Sequence, residues 1–277
     1  MVILAGDIGG TNTRLAFFEH GVMSGEEKKF LSEKYESLEQ IVIEFLDGKK
    51  VDRACFGVAG PVREGKSKVT NLSWTIDAAK ISQTLQIPTV HLLNDLEANA
   101  YGLQRLKKEE LFLLHEGKRQ IGNRALIAAG TGLGEAGLFW DGTAHRPFAC
   151  EGGHTDFAPQ NELEVELLFY LKKKFGHVSY ERVLSGPGLH QLFLFLVETG
   201  RQKWEPIVRA EMEKCDPARV ISEWGQENRD KACSFALDWF ISLYGAEAGN
   251  MALKFLSLGG FYVGGGIAPK ILDAMKK

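Results

Sequence analysis

Apolar runs punctuated by glycine and acid open the chain. Ile3-Leu4-Ala5 runs into Gly6-Asp7-Ile8, turns through Gly9-Gly10-Thr11-Asn12, and gives way to a second apolar, β-prone run at Leu15-Ala16-Phe17-Phe18. The pattern predicts strand, tight turn, strand, because glycine takes positive φ without a Cβ clash and Asn or Thr can bond the local backbone. Residues 21–31 fit a third antiparallel strand. Ser37 and Gln40 read as a capping box ahead of a helix with Ile41, Phe45 and Leu46 on its core face, stopped by Gly48. Residues 53–60 form a buried strand that ends at Gly60-Pro61, and residues 62–71 an exposed excursion. Asp77 caps a short helix through Leu85, and Pro88 opens the strand 89–93.

The opening pattern then returns. Ala125-Leu126-Ile127-Ala128-Ala129 leads into Gly130-Thr131-Gly132-Leu133-Gly134, and Ala136-Gly137-Leu138-Phe139-Trp140 follows. Two such hairpins predict a duplicated half-molecule. From Leu163 the chain turns mainly helical, with one helix ended by Gly176 and an apolar core helix over 189–197. The longest helical pattern covers roughly 228–257, where Ala236, Trp239, Phe240 and Leu243 fall at i, i+3, i+4 and i+7. Phe261-Tyr262-Val263 is a strand into Gly264-Gly265-Gly266, before a short last helix.

Several polar groups sit at the ends of these elements. Successive N–H groups in a glycine turn can form a concave nest for an anion such as phosphate, although an ordinary hairpin has the same pattern. Neither a dinucleotide fingerprint nor a P-loop is present at the first turn. Asn94-Asp95 ends a buried strand where a helix begins, the crevice in which open α/β sheets bind ligands; either residue also fits a simple helix cap. Glu151 and His154, three apart across Gly152-Gly153, can point at one small polar ligand. Glu181 has no evident helix-start task, since Ser179-x-x-Arg182 is not a capping box.

Composition narrows the class. The chain is 44% hydrophobic and 25% charged with a net charge of -3, as in a soluble globular protein without the basic excess that nucleic acid or membrane surfaces require. Cys55, Cys150, Cys215 and Cys233 lack zinc or disulfide spacing and fit a reducing cytosol. No signal-peptide pattern precedes the first strand, and no apolar run has membrane-spanning length. A cytoplasmic protein is expected.

Taken together, residues 6–14, 57–61, Asn71-Leu72-Ser73-Trp74, Asn94-Asp95-Leu96-Glu97-Ala98, 130–134, 151–159, 181–189 and 262–270 resemble the bacterial glucokinases of the hexokinase/actin/Hsp70 superfamily, in order and spacing. The resemblance implies an α/β, two-domain ribonuclease-H-like (actin-like ATPase) fold with an inter-domain cleft. It implies a small α/β domain over 1–105 and a larger one over 106–277. It further implies ATP-dependent phosphorylation of glucose at its 6-hydroxyl, the first step of glycolysis, with Mg²⁺. By that likeness Gly6, Asp7, Ile8, Gly9, Gly10, Thr11 and Asn12 would hold the β- and γ-phosphates, with Asp7 near the metal. Thr131, Gly132 and Gly134 would face the phosphates from the other domain, and Gly264, Gly265 and Gly266 would line the adenosine. Asp95 matches the catalytic acid–base residue, and Asn94, Glu151, His154 and Glu181 match the groups that bond the sugar hydroxyls. The family is often dimeric, so a homodimer is one assembly it allows. No structural zinc is expected, because no cysteine follows His154 until Cys215. Family chains usually continue some tens of residues beyond the glycine-turn strand and its helix, so a C-terminal segment is expected to be missing here. A catalytically impaired sugar- or ATP-binding relative and a kinase of another hexose are the competing readings.

Overall fold

The computed structural model describes residues 1–69, 72–118 and 120–276. Asn71 of the sequence motif lies outside the described residues. The chain divides into two compact units, Met1–Arg105 and Leu106–Lys277.

In the first unit, β1 (Val2–Ile8), β2 (Asn12–Glu19) and β3 (Val22–Leu31) form an antiparallel meander, and β4 (Arg53–Val58) and β8 (Thr89–Asn94) add in parallel. The order is β3-β2-β1-β4-β8. Parallel neighbours need crossovers, which α1 (Leu38–Leu46) and α2 (Ala78–Leu85) provide before α3 (Asp95–Leu103) follows β8. Leu4, Ile8, Leu15, Phe56 and Ile81 are buried between sheet and helices.

The structure departs from two local expectations. Ser37 makes no side-chain cap; Gln40 Oε1 instead accepts from the Glu36 amide at 3.0 Å, one residue earlier than a capping box places it. Helix α1 ends with Asp47 in the left-handed region ahead of Gly48. The segment after Pro61 is no loose excursion: β5 (Val62–Arg63), β6 (Lys66–Lys68) and β7 (Thr75–Asp77) pair as a small antiparallel sheet. Its alternation was hidden because Ser67 and Ile76 carry the inward positions and exposed lysines flank Ser67.

In the second unit β9 (Arg124–Ala129), β10 (Leu133–Trp140), β11 (His145–Cys150) and β12 (Gly260–Gly264) take the order β11-β10-β9-β12, with β9–β10 and β10–β11 antiparallel and β9–β12 parallel. This repeats β3-β2-β1-β4 strand for strand and sense for sense. Between β11 and β12 run α4 (Glu162–Phe175), α5 (Gly186–Glu198), α6 (Pro206–Met212), α7 (Pro217–Gln226) and α8 (Lys231–Phe255); α9 (Leu272–Met275) closes the described chain. Ile127, Leu167, Leu189, Phe193, Ile221 and Phe240 join one core. No helix among the described residues is long and apolar enough to cross a membrane.

Candidate active site

The first glycine turn joins β1 to β2 and is fastened from β3's end. Gly9 N donates to Asn12 O at 2.9 Å, Ser32 N to Thr11 O at 3.0 Å, and Ser32 Oγ to Gly9 O at 2.9 Å. These bonds engage carbonyls and the Gly9 amide, and leave the Gly10 and Thr11 N–H groups outside the set, as an anion nest requires. Asn12 Oδ1 is buried with no hydrogen-bond partner among the described residues. Asp7 stands on the same hairpin, its side chain 62% exposed, with the Arg14 guanidinium 3.5 Å away. Burial against the sheet raises its carboxyl above the ordinary value, Arg14 opposes that, and Glu27 adds to the rise. Gly6 and Ile8 have structural explanations: a Cβ on Gly6 would meet Phe56 and Leu15, and the Ile8 side chain is fully buried. Only their backbone can serve a ligand.

At the end of β8 the two adjacent polar residues divide their tasks. Asn94, 6% exposed, is the helix cap: its Oδ1 accepts from Leu96 N at 3.0 Å and Glu97 N at 3.3 Å, while Nδ2 donates to Gly60 O. Asp95 is the first residue of α3, and its Oδ1 also accepts from Leu96 N at 2.9 Å. Capping therefore does not depend on Asp95. The positive end of the helix favours a carboxylate at that position.

In the second unit the turn between β9 and β10 is closed by Gly130 N donating to Gly132 O at 2.8 Å and held from outside by two elements. Gly186 N, at the start of α5, donates to Gly130 O at 2.8 Å, and the Glu181 carboxylate accepts from Leu133 N at 3.0 Å through Oε2. A Cβ on Gly132 would meet that same oxygen at 2.5 Å. Thr131 is exposed at the tip, and Gly134 is half-buried at the start of β10.

Glu151, His154 and Glu181, far apart in sequence, come together. His154 Nε2 is 3.9 Å from Glu151 Oε2, and its Nδ1 is 3.9 Å from Glu181 Oε1. A 3-10 turn, Gly152–His154, sets the first two on one side, and Tyr180 N donating to Thr155 O at 3.0 Å ties that turn to the segment carrying Glu181. Two carboxylates and an imidazole at this spacing offer both donors and acceptors to hydroxyl groups.

Beyond β12, Gly265 has φ +82° and a Cβ there would overlap Ala129 O, so its lack of a side chain is required by strand β9 itself. Gly266 faces open space, and a Cβ on Gly264 would press on Leu126 Cδ1 at 3.3 Å. Sequence reading missed the groups that brace these turns. Tyr244 Oη, buried on α8, accepts from Ala129 N at 2.9 Å and reaches Gly264 O at 3.4 Å, and burial pushes its phenol up to about 12. Ser32 does the equivalent task in the first unit. Neither carries a local signal, because each acts on a strand end remote in sequence.

Comparison with known proteins fits this arrangement. The glucokinase family model matches residues 4–277. A glucokinase of Nostoc punctiforme is 40% identical, with 99% of this chain and 87% of that protein covered. The crystal structure of a glucokinase from an Antarctic psychrotroph superposes with a TM-score of 0.81 at 30% identity, covering 99% of this chain and 86% of that one. A ROK family glucokinase from Streptomyces griseus, in complex with glucose and AMPPNP, shares the fold at a TM-score of 0.65 and 20% identity, over 100% of this chain and 88% of that one. The actin-like two-domain fold of these neighbours is thus the fold class of this chain. With strand order, glycine turns and near-full-length similarity in agreement, the chain belongs to the glucokinase family.

Proposed function

We propose that this chain transfers the γ-phosphoryl group of ATP to the 6-hydroxyl of glucose, giving glucose 6-phosphate and ADP. Family membership along residues 4–277 carries the reading. The division of tasks between Asn94 and Asp95 supports its mechanism. Phosphoryl transfer asks a protein chiefly for in-line positioning and charge stabilisation. Asp95, at the positive end of α3, accepts the proton of the 6-hydroxyl as the new P–O bond forms. Glu151, His154 and Glu181 hold the ring hydroxyls, and Asn94 adds the second proton of its amide. A hydroxyl of the wrong configuration would leave one of these groups unpaired, which costs about 1–3 kcal/mol and discriminates between epimers.

The amides of Gly10 and Thr11, and the Gly130–Gly132 turn, suit phosphate oxygens. Gly264, Gly265 and Gly266 suit the nucleoside side. The exposed Asp7 carboxylate and Asn12 Oδ1, which has no partner among the described residues, fit magnesium with much of its water shell retained, since that ion does not need an all-protein cage. Among the described residues no group of three or more His, Cys, Asp or Glu forms such a cage. Magnesium held there would neutralise charge on the phosphate oxygens. A reaction fed by ATP and glucose belongs in the cytoplasm. A coupled assay for glucose 6-phosphate, with glucose, mannose and fructose in parallel, tests the proposal: glucose should show the highest kcat/KM. No turnover of glucose at saturating ATP and Mg²⁺ rejects it.

A further inference from the structure

Behind the sugar-loop residues lies a set of buried polar side chains without a role in the chemistry above. Glu135 on β10 is 3% exposed and Glu247 on α8 is 0% exposed. Two carboxyl groups in one core are costly unless they are paired or neutralised. Glu247 Oε2 accepts from Asn250 Nδ2 at 2.9 Å, and its Oε1 from Lys254 Nζ at 3.4 Å. Asn250 Nδ2 also donates to Tyr180 Oη at 3.0 Å, and Tyr180 immediately precedes Glu181. Glu135 touches the other half of the cluster. A Cβ on Gly152 would overlap its Oε2, so the backbone between Glu151 and His154 rests directly on this carboxyl group. Its Oε1 is buried with no hydrogen-bond partner among the described residues.

We infer that Glu135 and Glu247 form a buried platform that positions Glu151, His154 and Glu181, Glu135 through the backbone of Gly152 and Glu247 through Asn250 and Tyr180. Both are positioning residues. The inference deepens the proposed glucose site and rests on it for the identity of the sugar. The groups facing Glu135 are Glu247 and Lys254 from α8 and Cys150 from β11, while β9 opposes it with apolar Ile127. Burial first, and then Glu247, push the Glu135 carboxyl up to about 7, and Lys254 opposes them. Neutral at lower pH, Glu135 supports the loop without repulsion. Ionised above pH 7, it sets a second negative charge beside Glu247 with one ammonium to offset both, and the loop lying on it is displaced. Glucose binding should therefore weaken as pH rises through 7.

The test compares wild type with Glu135→Gln, a neutral isostere, between pH 6 and 8.5. Wild type should show a several-fold rise in the KM for glucose with a smaller change in kcat, and Glu135→Gln a KM constant within about twofold. Tyr180→Phe, which removes the hydroxyl that meets both Asn250 and Glu247, should raise the glucose KM at every pH and leave the ATP KM in place. An unchanged pH rise in Glu135→Gln overturns the platform, as does a Tyr180→Phe protein that binds glucose like wild type. The sugar-free protein gives a second, activity-independent reading. With ¹³C-labelled glutamate, one carboxyl should titrate near pH 7, vanish in Glu135→Gln, and move together with the Gly152 amide. If that titration is present but no hexose is phosphorylated, the proposed substrate fails and the platform stands. If it is absent from an active enzyme, the platform fails alone.

Discussion

The two glycine turns occupy the same place in the same strand order, yet they are fastened in opposite styles. In the first unit, bracing and the proposed chemistry fall on different residues. Ser32 holds the turn while Asp7 stays exposed beside it, and Asn94 caps α3 while Asp95 opens it. In the second unit the tasks are merged. The Glu181 carboxylate binds the turn through Oε2 and meets His154 through Oε1, and the loop carrying Glu151 and His154 leans on a buried acid. Divided tasks let activity be removed without loss of stability. Merged tasks do not.

The sharpest break is Asp95→Asn. Removing the proposed general base should lower kcat by about a hundred- to ten-thousand-fold, while stability stays within about 0.5 kcal/mol because Asn94 still caps the helix. Urea unfolding and a coupled assay on the same protein check both. A fall in stability that accompanies the loss of turnover would show that tasks are merged in the first unit too.

The next effect is on stability against pH. A carboxyl whose folded pKa lies at about 7, above its ordinary 4.5, stabilises the fold fully below pH 4.5 and ceases to do so as pH rises through 7. Wild type should lose on the order of 3 kcal/mol across that window relative to Glu135→Gln. Thermal unfolding from pH 4.5 to 8 measures it, and parallel curves for the two proteins contradict it.

Smaller is the contrast between neighbouring glycines. Gly265→Ala forces a side chain into positive φ against Ala129 O and should cost about 1–3 kcal/mol. Gly266→Ala enters open space and should stay within about 0.5 kcal/mol. Equal melting temperatures for the two variants would remove the structural reason for Gly265.

The finest test sets Ser32→Ala against Glu181→Gln. Losing the Ser32 Oγ bonds to Gly9 O and to the buried Thr13 hydroxyl should cost about 1–3 kcal/mol and raise the KM for ATP alone. Glu181→Gln should move the KM values for ATP and glucose together. A glucose effect from Ser32→Ala would erase the distinction between the two units.

Much of the fold is legible in the sequence. The strand–turn–strand pattern at 3–18 and again at 125–140, the Asp77 cap, the strand into Asn94-Asp95 and the long helix that became α8 all follow from local rules: apolar periodicity, glycine at turns, a polar residue at a helix start. Local rules misled where an inward position is polar, as with Ser67 in the small sheet, or where a cap falls one residue early, as with Gln40.

Sequence alone therefore determined which residue types stand at strand ends and glycine turns, because those preferences act over a few residues. Which of them meet was decided by tertiary structure. Glu181 lies 27 residues beyond His154, and Glu247 lies 112 beyond Glu135; no periodicity links such positions. They come together because α8 packs against β9 and because the helical segment between β11 and β12 returns the chain to the same sheet. Burial in that core, a property of the whole unit and of no local stretch, turns Glu135 from an ordinary surface-type carboxylate into a group that titrates near neutrality.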